Sequence, residues 1–452
     1  MKVSTNSQGT KKKGISFMDL MSVSIGQIIG SGIMILTGIA IGLTGKGVAW
    51  SFIAAAILII IPITCLAALG SAIPSNGGMY TYVRDLIGRK TAFFYVALLV
   101  AGQLVLANYA IGFAEYAKEF LPNLNTTLVA GVIMTLIFFA NLRGLKTAVF
   151  IQNIMVVMLL AALGLFIAFG LPQVKDFGSF FEVANIMPSG FMGFVSATFL
   201  VRFALIGAEY LSELGGECEN PGKEIPRAMI LSTAIVAIVY FFMGVVASGV
   251  LPVGDVAFQT LGSVAKQIFP PAVYVFFIVG GAMFALVSSL NAVFAWCTRG
   301  IKMAIVDGWL PEWLAVENKR YGTPHLLLGI FYVVGMLPII TGGTIEYIAI
   351  IGNNIGLIFA VFPVLAVMFL PKRNPEAYEK AYFKLPLWAM YALPLASAAI
   401  YAFGFYSSAD FIGAFGLKVM AGYCALVTLY AWIREPKVKK LEVEKAKATK
   451  VA

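Results

Sequence analysis

The sequence predicts an all-α membrane protein of about twelve transmembrane helices, with the first and sixth broken at mid-membrane, and three observations predict it. The first is composition: of 452 residues, 60% are hydrophobic and 12% charged, with a mean hydropathy of +0.90. That balance needs lipid around it. The second is the recurrence of apolar runs of roughly 20 residues, the length at which a helix crosses a bilayer. The third is that runs one and six are both interrupted at their centres. A break repeated after five spans, an odd number, implies two units of opposite orientation. Interrupted helices in corresponding positions of inverted repeats point to the site of a secondary transporter.

Taken in order, residues 1–14 are polar and basic and read as a cytoplasmic arm. Span one, 18–42, carries Ser24-Ile25-Gly26-Gln27-Ile28-Ile29-Gly30-Ser31-Gly32-Ile33-Met34 at its centre. Three glycines in seven residues weaken a helix where its neighbours are most apolar. Broken backbone survives in lipid only where protein or a polar cavity satisfies it, so this stretch predicts a polar site at mid-membrane. The competing reading is that the glycines only let two helices approach. Span two covers 48–73, and Pro74 with Gly77-Gly78 then turns the chain into a segment whose Tyr80 and Tyr82 suit the headgroup level. Spans three, four and five follow at 91–117, 127–142 and 147–170.

Span six, 192–212, places Phe203-Ala204-Leu205-Ile206-Gly207-Ala208-Glu209-Tyr210 at membrane depth, followed by Glu213 and a polar exit. Here the competing reading is a packing glycine beside an incidental acid. Spans seven to ten are placed at 229–251, 272–305, 325–340 and 345–370, and spans eleven and twelve at 387–405 and 411–432. The tail 435–452 alternates Lys and Glu without apolar periodicity and is expected to be loose.

The net charge of +10 is explained by where the basic residues fall. With the N-terminus inside, the cytoplasmic ends receive Lys11, Lys12, Lys13, Arg84, Arg89, Lys90, Arg143, Lys146, Arg299, Lys302, Lys372, Arg373 and the tail. The opposite side keeps only Lys46, Lys118, Lys175, Lys266 and Lys418. This is the positive-inside pattern, which puts both termini in the cytoplasm of a multi-pass cell-membrane protein and needs no nucleic-acid partner. Cys65, Cys218, Cys297 and Cys424 are scattered without metal-ligand spacing, and the single histidine, His325, sits at a span boundary. No nucleophile with a positioned base is in view, so an enzyme is not expected.

At these residues the chain resembles the amino acid/polyamine/organocation permease superfamily. The resemblance is carried by Gly30-Ser31-Gly32-Ile33, by Leu69-Gly70, Ile73-Pro74, Gly77-Gly78, Tyr80 and Tyr82, and by Gly207 with Glu219-Asn220-Pro221 and Pro226. Arg299, Asp307-Gly308, Leu310-Pro311 and Thr323-Pro324 extend it over about residues 15–370. It implies a ten-helix core of two inverted five-helix repeats over 15–370 and two peripheral helices over 371–434, moving amino acids by alternating access. It also implies that the substrate carboxylate meets the N–H groups of Ser31, Gly32 and Ile33, and that the ammonium meets carbonyls near Ile28, Phe203, Ala204 and Ile206. A half-helix N-terminus attracts an anion and uncapped carbonyls attract a cation, so a zwitterion fits both ends. Phe203 matches the position of an aromatic gate, or is an ordinary core aromatic. The alternatives within the class are a polyamine or organic-cation carrier and an amino acid exchanger. A channel, which would lack a closed central site, is the competitor outside it.

Two departures from the family pattern concern charge. Many relatives carry a lysine in the middle of span five, and the matching position here is Leu159. Span one meanwhile offers carbonyls at Gly26 and Ile29, and span eight offers Ala285, Ser288 and Ser289. Sodium-coupled relatives of the same core fold use such a set, and oxygen-only ligation suits a hard cation, though serines also simply pack membrane helices. No cofactor is expected, and the coupling ion is read as sodium at this set or a proton at Glu209. The second departure is Arg202, a basic residue well inside a span and therefore a functional candidate whose partner must be named. Glu209 is the natural one. The alternatives are that Arg202 greets an acidic side chain from the outer vestibule, or snorkels to the headgroups.

Overall fold

The computed structural model of the protein describes residues 14–75 and 77–451, so the arm at 1–13 lies outside the described residues. Span one consists of two helices, Phe17–Ile28 and Ser31–Thr44, and span two is Val48–Ala72. Span three runs from Arg89–Gly102 through a 3-10 turn into Leu106–Ala117, and spans four and five are Thr126–Leu142 and Leu145–Gly170. Span six begins as Gly190–Arg202, and span seven is Pro221–Gly249. Span eight joins Pro271–Phe276, a π-helical stretch Phe277–Met283, and Phe284–Trp296. Spans nine and ten are His325–Ile340 and Ile345–Ala366. Spans eleven and twelve lie in one run, Ala389–Val451, kinked where Gly413 takes φ 69°. Among the described residues there is no β-strand. A lone parallel bridge joins Ile15 to Cys218, with the Ile15 N–H donating to the Glu217 carbonyl at 2.9 Å.

These helices are apolar nearly all round, as expected of segments that face lipid on one side and other helices on the rest. Leu128, Leu136, Phe139, Phe150, Val157, Ile238, Leu426 and Trp432 are exposed on the outer faces of spans four, five, seven and twelve. The inward faces close on one continuous core. The packing repeats after five spans. Span two lies along span seven, span five along span eight, and span ten along span three, the last two being the same pair under the repeat. Span one is held against spans five, seven and eight. Its start is fixed by a capping box, in which the Asp19 N–H donates to Ser16 Oγ at 3.2 Å and the Ser16 N–H to Asp19 Oδ2 at 2.9 Å.

Two local expectations are corrected. Tyr80 and Tyr82 are fully buried rather than interfacial. The segment after span two folds as a helix, Gly78–Leu86, tucked under span six, where the Met79 N–H donates to Glu213 Oε1 at 3.1 Å and the Tyr80 hydroxyl to Asp307 Oδ2 at 2.7 Å. Buried partners for both the backbone and the hydroxyl outweigh the headgroup preference. The tail is helical to Val451 rather than loose. Val438 is buried, Lys439 pairs with Glu435 four residues back at 3.1 Å, Lys90 reaches Glu435 at 2.6 Å, and Arg89 pairs with Glu442. Helical Lys–Glu spacing and one apolar anchor supply what a search for periodicity overlooks.

Candidate functional site

The break in span one is two residues long. Ile29 is extended (φ −80°, ψ 94°), its N–H still donating to the Ile25 carbonyl at 2.8 Å, and Gly30 (φ −124°, ψ −148°) leads directly into the second half-helix. No side chain caps that half-helix. The N–H groups of Ser31, Gly32 and Ile33 therefore open on the break as orphan donors at the positive end of a helix. The glycines are required by what lies opposite. A Cβ on Gly30 would stand 2.9 Å from Ser289 Oγ, and one on Gly32 would stand 2.6 Å from the Ala204 Cβ.

Span six breaks differently. After Gly190–Arg202 comes a 3-10 turn, Phe203–Leu205, then extended Ile206 (φ −76°, ψ 137°) and Gly207 at φ 152°. Ten residues of 3-10 helix, Ala208–Glu217, complete the span. Gly207 combines a conformation that favours glycine with a close approach, since its Cβ would lie 2.8 Å from the Ile28 backbone nitrogen. The two breaks thus touch twice, Gly207 against Gln27 and Ile28, and Gly32 against Ala204. The Gly207 N–H is not free: it donates to Glu209 Oε2 at 2.8 Å.

Of the residues singled out in the sequence, Ile28, Gly32, Phe203, Ala204, Ile206, Arg202 and Glu209 line one cavity of about 100 Å³ between the breaks. Ile33 is fully buried outside its lining, and Ser31 contributes its backbone position at the half-helix start. Sequence reasoning missed several walls of this cavity. Trp296 of span eight stacks on Tyr210 at 4.0 Å and donates from Nε1 to Gln27 Oε1 at 3.2 Å. Gln103 and Tyr109 of span three, Asn353 of span ten and Tyr401 of span eleven also face it. Asn353 is the exception, since a mid-span amide is readable from the sequence as a candidate for lining the pathway; nothing in the sequence of span eleven, read as peripheral, marks Tyr401.

The expected Arg202–Glu209 ion pair is not formed: no such pair stands within 4.0 Å among the described residues. Glu209 is turned back onto its own helix start, and the guanidinium lies over the Tyr401 ring, 5.2 Å from its centroid. Nor does Arg202 snorkel, being only 5% exposed.

The five candidate cation ligands do converge. Ser288 Oγ donates to the Gly26 carbonyl at 3.1 Å and the Ala285 carbonyl at 2.9 Å, and Ser289 Oγ to Gly26 at 3.0 Å and Ile29 at 3.4 Å. All are neutral oxygens, the donor set a hard monovalent cation would take, and in this arrangement two hydroxyl hydrogens are shared among the three carbonyls. Leu159 is fully buried. Two span-five side chains, Gln152 and Val156, close on Gly26 one turn before the break, and Gln152 Oε1 accepts from Asn291 Nδ2 at 2.8 Å. Among the described residues there is no cluster of His, Cys, Asp and Glu able to hold a metal ion.

Comparison with known proteins identifies the family. A family model described as amino acid permease matches residues 15–427. Over 424 residues the chain is 29% identical to the methylthioribose transporter of Bacillus subtilis (strain 168), covering 84% of this chain and 88% of that protein. The branched-chain amino acid permease BcaP of the same organism is 27% identical over 403 residues, 82% of this chain and 84% of its own. Its serine/threonine exchanger SteT is 26% identical over 442 residues, 94% and 98% respectively.

Proposed function

The chain belongs to the amino acid permease family, and from that premise we propose that it carries an amino acid zwitterion across the cell membrane by alternating access. It is a transporter and not an enzyme. The observation that carries the reading is the pair of touching breaks, which present opposite polarities to one cavity. The substrate carboxylate takes the N–H groups of Ser31, Gly32 and Ile33, which no side chain caps. The ammonium takes carbonyl oxygens around Ile28, Ala204 and Ile206, with Phe203 covering the site. Spans one to ten form the transport core, with the last two spans beside it, and both termini lie in the cytoplasm as the basic loops require.

On the proposed cytoplasmic side the route is closed by ties among spans one, six and eight. Ile15 bonds to the Glu217 carbonyl, and Arg299 pairs with the Glu217 carboxylate at 2.7 Å. Inward opening has to release them. A polyamine or other organic cation is disfavoured because Arg202 holds a positive charge in the same cavity. For the coupling ion we propose sodium at Gly26, Ile29, Ala285, Ser288 and Ser289, where binding would rotate both hydroxyl hydrogens off the carbonyls and turn the oxygens to the ion. The competing reading is a proton on Glu209.

Counterflow in proteoliposomes against a panel of amino acids tests the function: stereospecific, saturable exchange is expected, and its absence across the panel would overturn it. Net uptake into amino-acid-free liposomes separates symport from obligatory exchange. Replacing sodium by choline at fixed pH tests the ion. Slower uptake in choline, with sodium stimulation lost in Ser288→Ala/Ser289→Ala, is expected, whereas equal rates in both salts favour the proton.

A further inference from the structure

Arg202 makes no hydrogen bond or ion pair among the described residues, although 95% of it is removed from solvent and it lines the cavity. Its Nε is buried without an acceptor. An intramembrane guanidinium left in that state is costly and is retained where something completes it. One face is covered by the Tyr401 ring, so the in-plane donors must find their partners elsewhere around the cavity that Arg202 lines.

The surroundings limit what can complete it. Glu209 shares the cavity but holds one oxygen on the Gly207 N–H. Gln103 donates its own amide to the Leu99 carbonyl at 3.1 Å, so its oxygen is the atom left to accept, and Asn353 adds a second amide. The cavity wall therefore carries strong donors on Arg202, acceptors on Gln103 and Glu209, and two opposite charges that do not pair with each other. An apolar side chain would leave the guanidinium unmet, an acidic one would bring a second negative charge beside Glu209, and a basic one would set a cation beside Arg202.

Resting on the permease reading above, we propose that Arg202 is a specificity-determining residue and that the transported amino acid has an uncharged polar side chain, ending in a carboxamide or hydroxyl that accepts from Arg202. Sites built to hydrogen-bond a substrate group reject analogues that lack it, because their own buried polar atoms are then left unpaired.

The test uses purified full-length protein and ligand-induced thermal stabilisation by L-glutamine, L-asparagine, L-serine, L-threonine, L-leucine, L-valine, L-glutamate and L-lysine, followed by the same panel in counterflow. The amide and hydroxyl amino acids are expected to saturate at the lowest concentrations. In Arg202→Met their advantage over leucine should shrink by roughly 10- to 100-fold, the value of one hydrogen bond to a charged group, with Arg202→Lys recovering part of it. Leucine, valine, glutamate or lysine saturating first in the wild type would overturn the proposal and leave the permease reading standing. So would an Arg202→Met variant that weakens every ligand equally. Should Arg202→Met not yield folded protein, the wild-type ranking decides alone. No stabilisation and no counterflow by any amino acid would overturn both.

Discussion

The two broken spans occupy equivalent places in the repeat, yet they are not chemically equivalent. Span one passes through two non-helical residues into an uncapped α-helix, so its donors stay open. Span six passes through Ile206 and Gly207 into a 3-10 helix, and the Gly207 N–H at its entrance is taken by Glu209. One break therefore offers an anion site and the other has filled its own. On the proposed reading this difference gives the cavity a direction, with the substrate carboxylate at span one and a single orientation for the bound amino acid.

The largest effect is expected at the contact that holds the breaks together. Gly207→Val puts a side chain on a residue at φ 152° and drives it into the Ile28 backbone nitrogen, which cannot yield. A loss of roughly 3 kcal/mol or more is expected, seen as loss of monodisperse protein or a collapsed melting temperature. At the second contact, Gly32→Leu should abolish binding while leaving folded protein, because it pries span one from Ala204 beside the donors. Gly32→Ala should be impaired for the same reason and partly rescued by adding Ala204→Gly. Retained ligand-induced stabilisation in Gly32→Leu would remove the site from span one.

Glu209 sharpens the comparison more gently. Glu209→Ala removes the acceptor from the Gly207 N–H, at a cost of about 1 kcal/mol by analogy with a lost helix cap, whereas Glu209→Gln keeps an acceptor and should melt higher than the alanine variant. If Glu209 is the proton carrier, the glutamine variant also loses the pH dependence of accumulation while retaining exchange. The smallest effect is expected at Arg299→Ala. The ion pair to Glu217 is partly exposed (22% and 41% for the two side chains), so its loss should lower stability by about 0–1 kcal/mol, measured by thermal denaturation.

Most of this architecture was legible because it is written in single-residue chemistry. A glycine cluster in span one and Gly207 beside Glu209 in span six marked the breaks, and the parity of five gave the inversion. The convergence of Ser288 and Ser289 on Gly26 and Ile29 was readable once spans one and eight were assumed to touch. What was not legible depended on where side chains turn. Arg202 and Glu209 sit seven residues apart across a break, and only the backbone path shows that the carboxylate folds back on Gly207 while the guanidinium stacks on Tyr401. The burial of the Tyr80 hydroxyl, likewise, depends on Asp307 arriving from far along the chain.

The second half of span six has a mechanical consequence. A 3-10 helix rises about 2.0 Å per residue against 1.5 Å in an α-helix, so ten residues wound this way are about 5 Å longer than the same ten rewound. Ala208–Glu217 is in effect an extended spring. Its far end is hooked to Ile15 and Arg299 through Glu217, and its near end is fixed at Gly207 against span one. Rewinding would shorten it by more than the length of a hydrogen bond, so the ties at Glu217 would not survive such a contraction. Distance measurements between labels at the two ends, with and without substrate, would read that contraction directly.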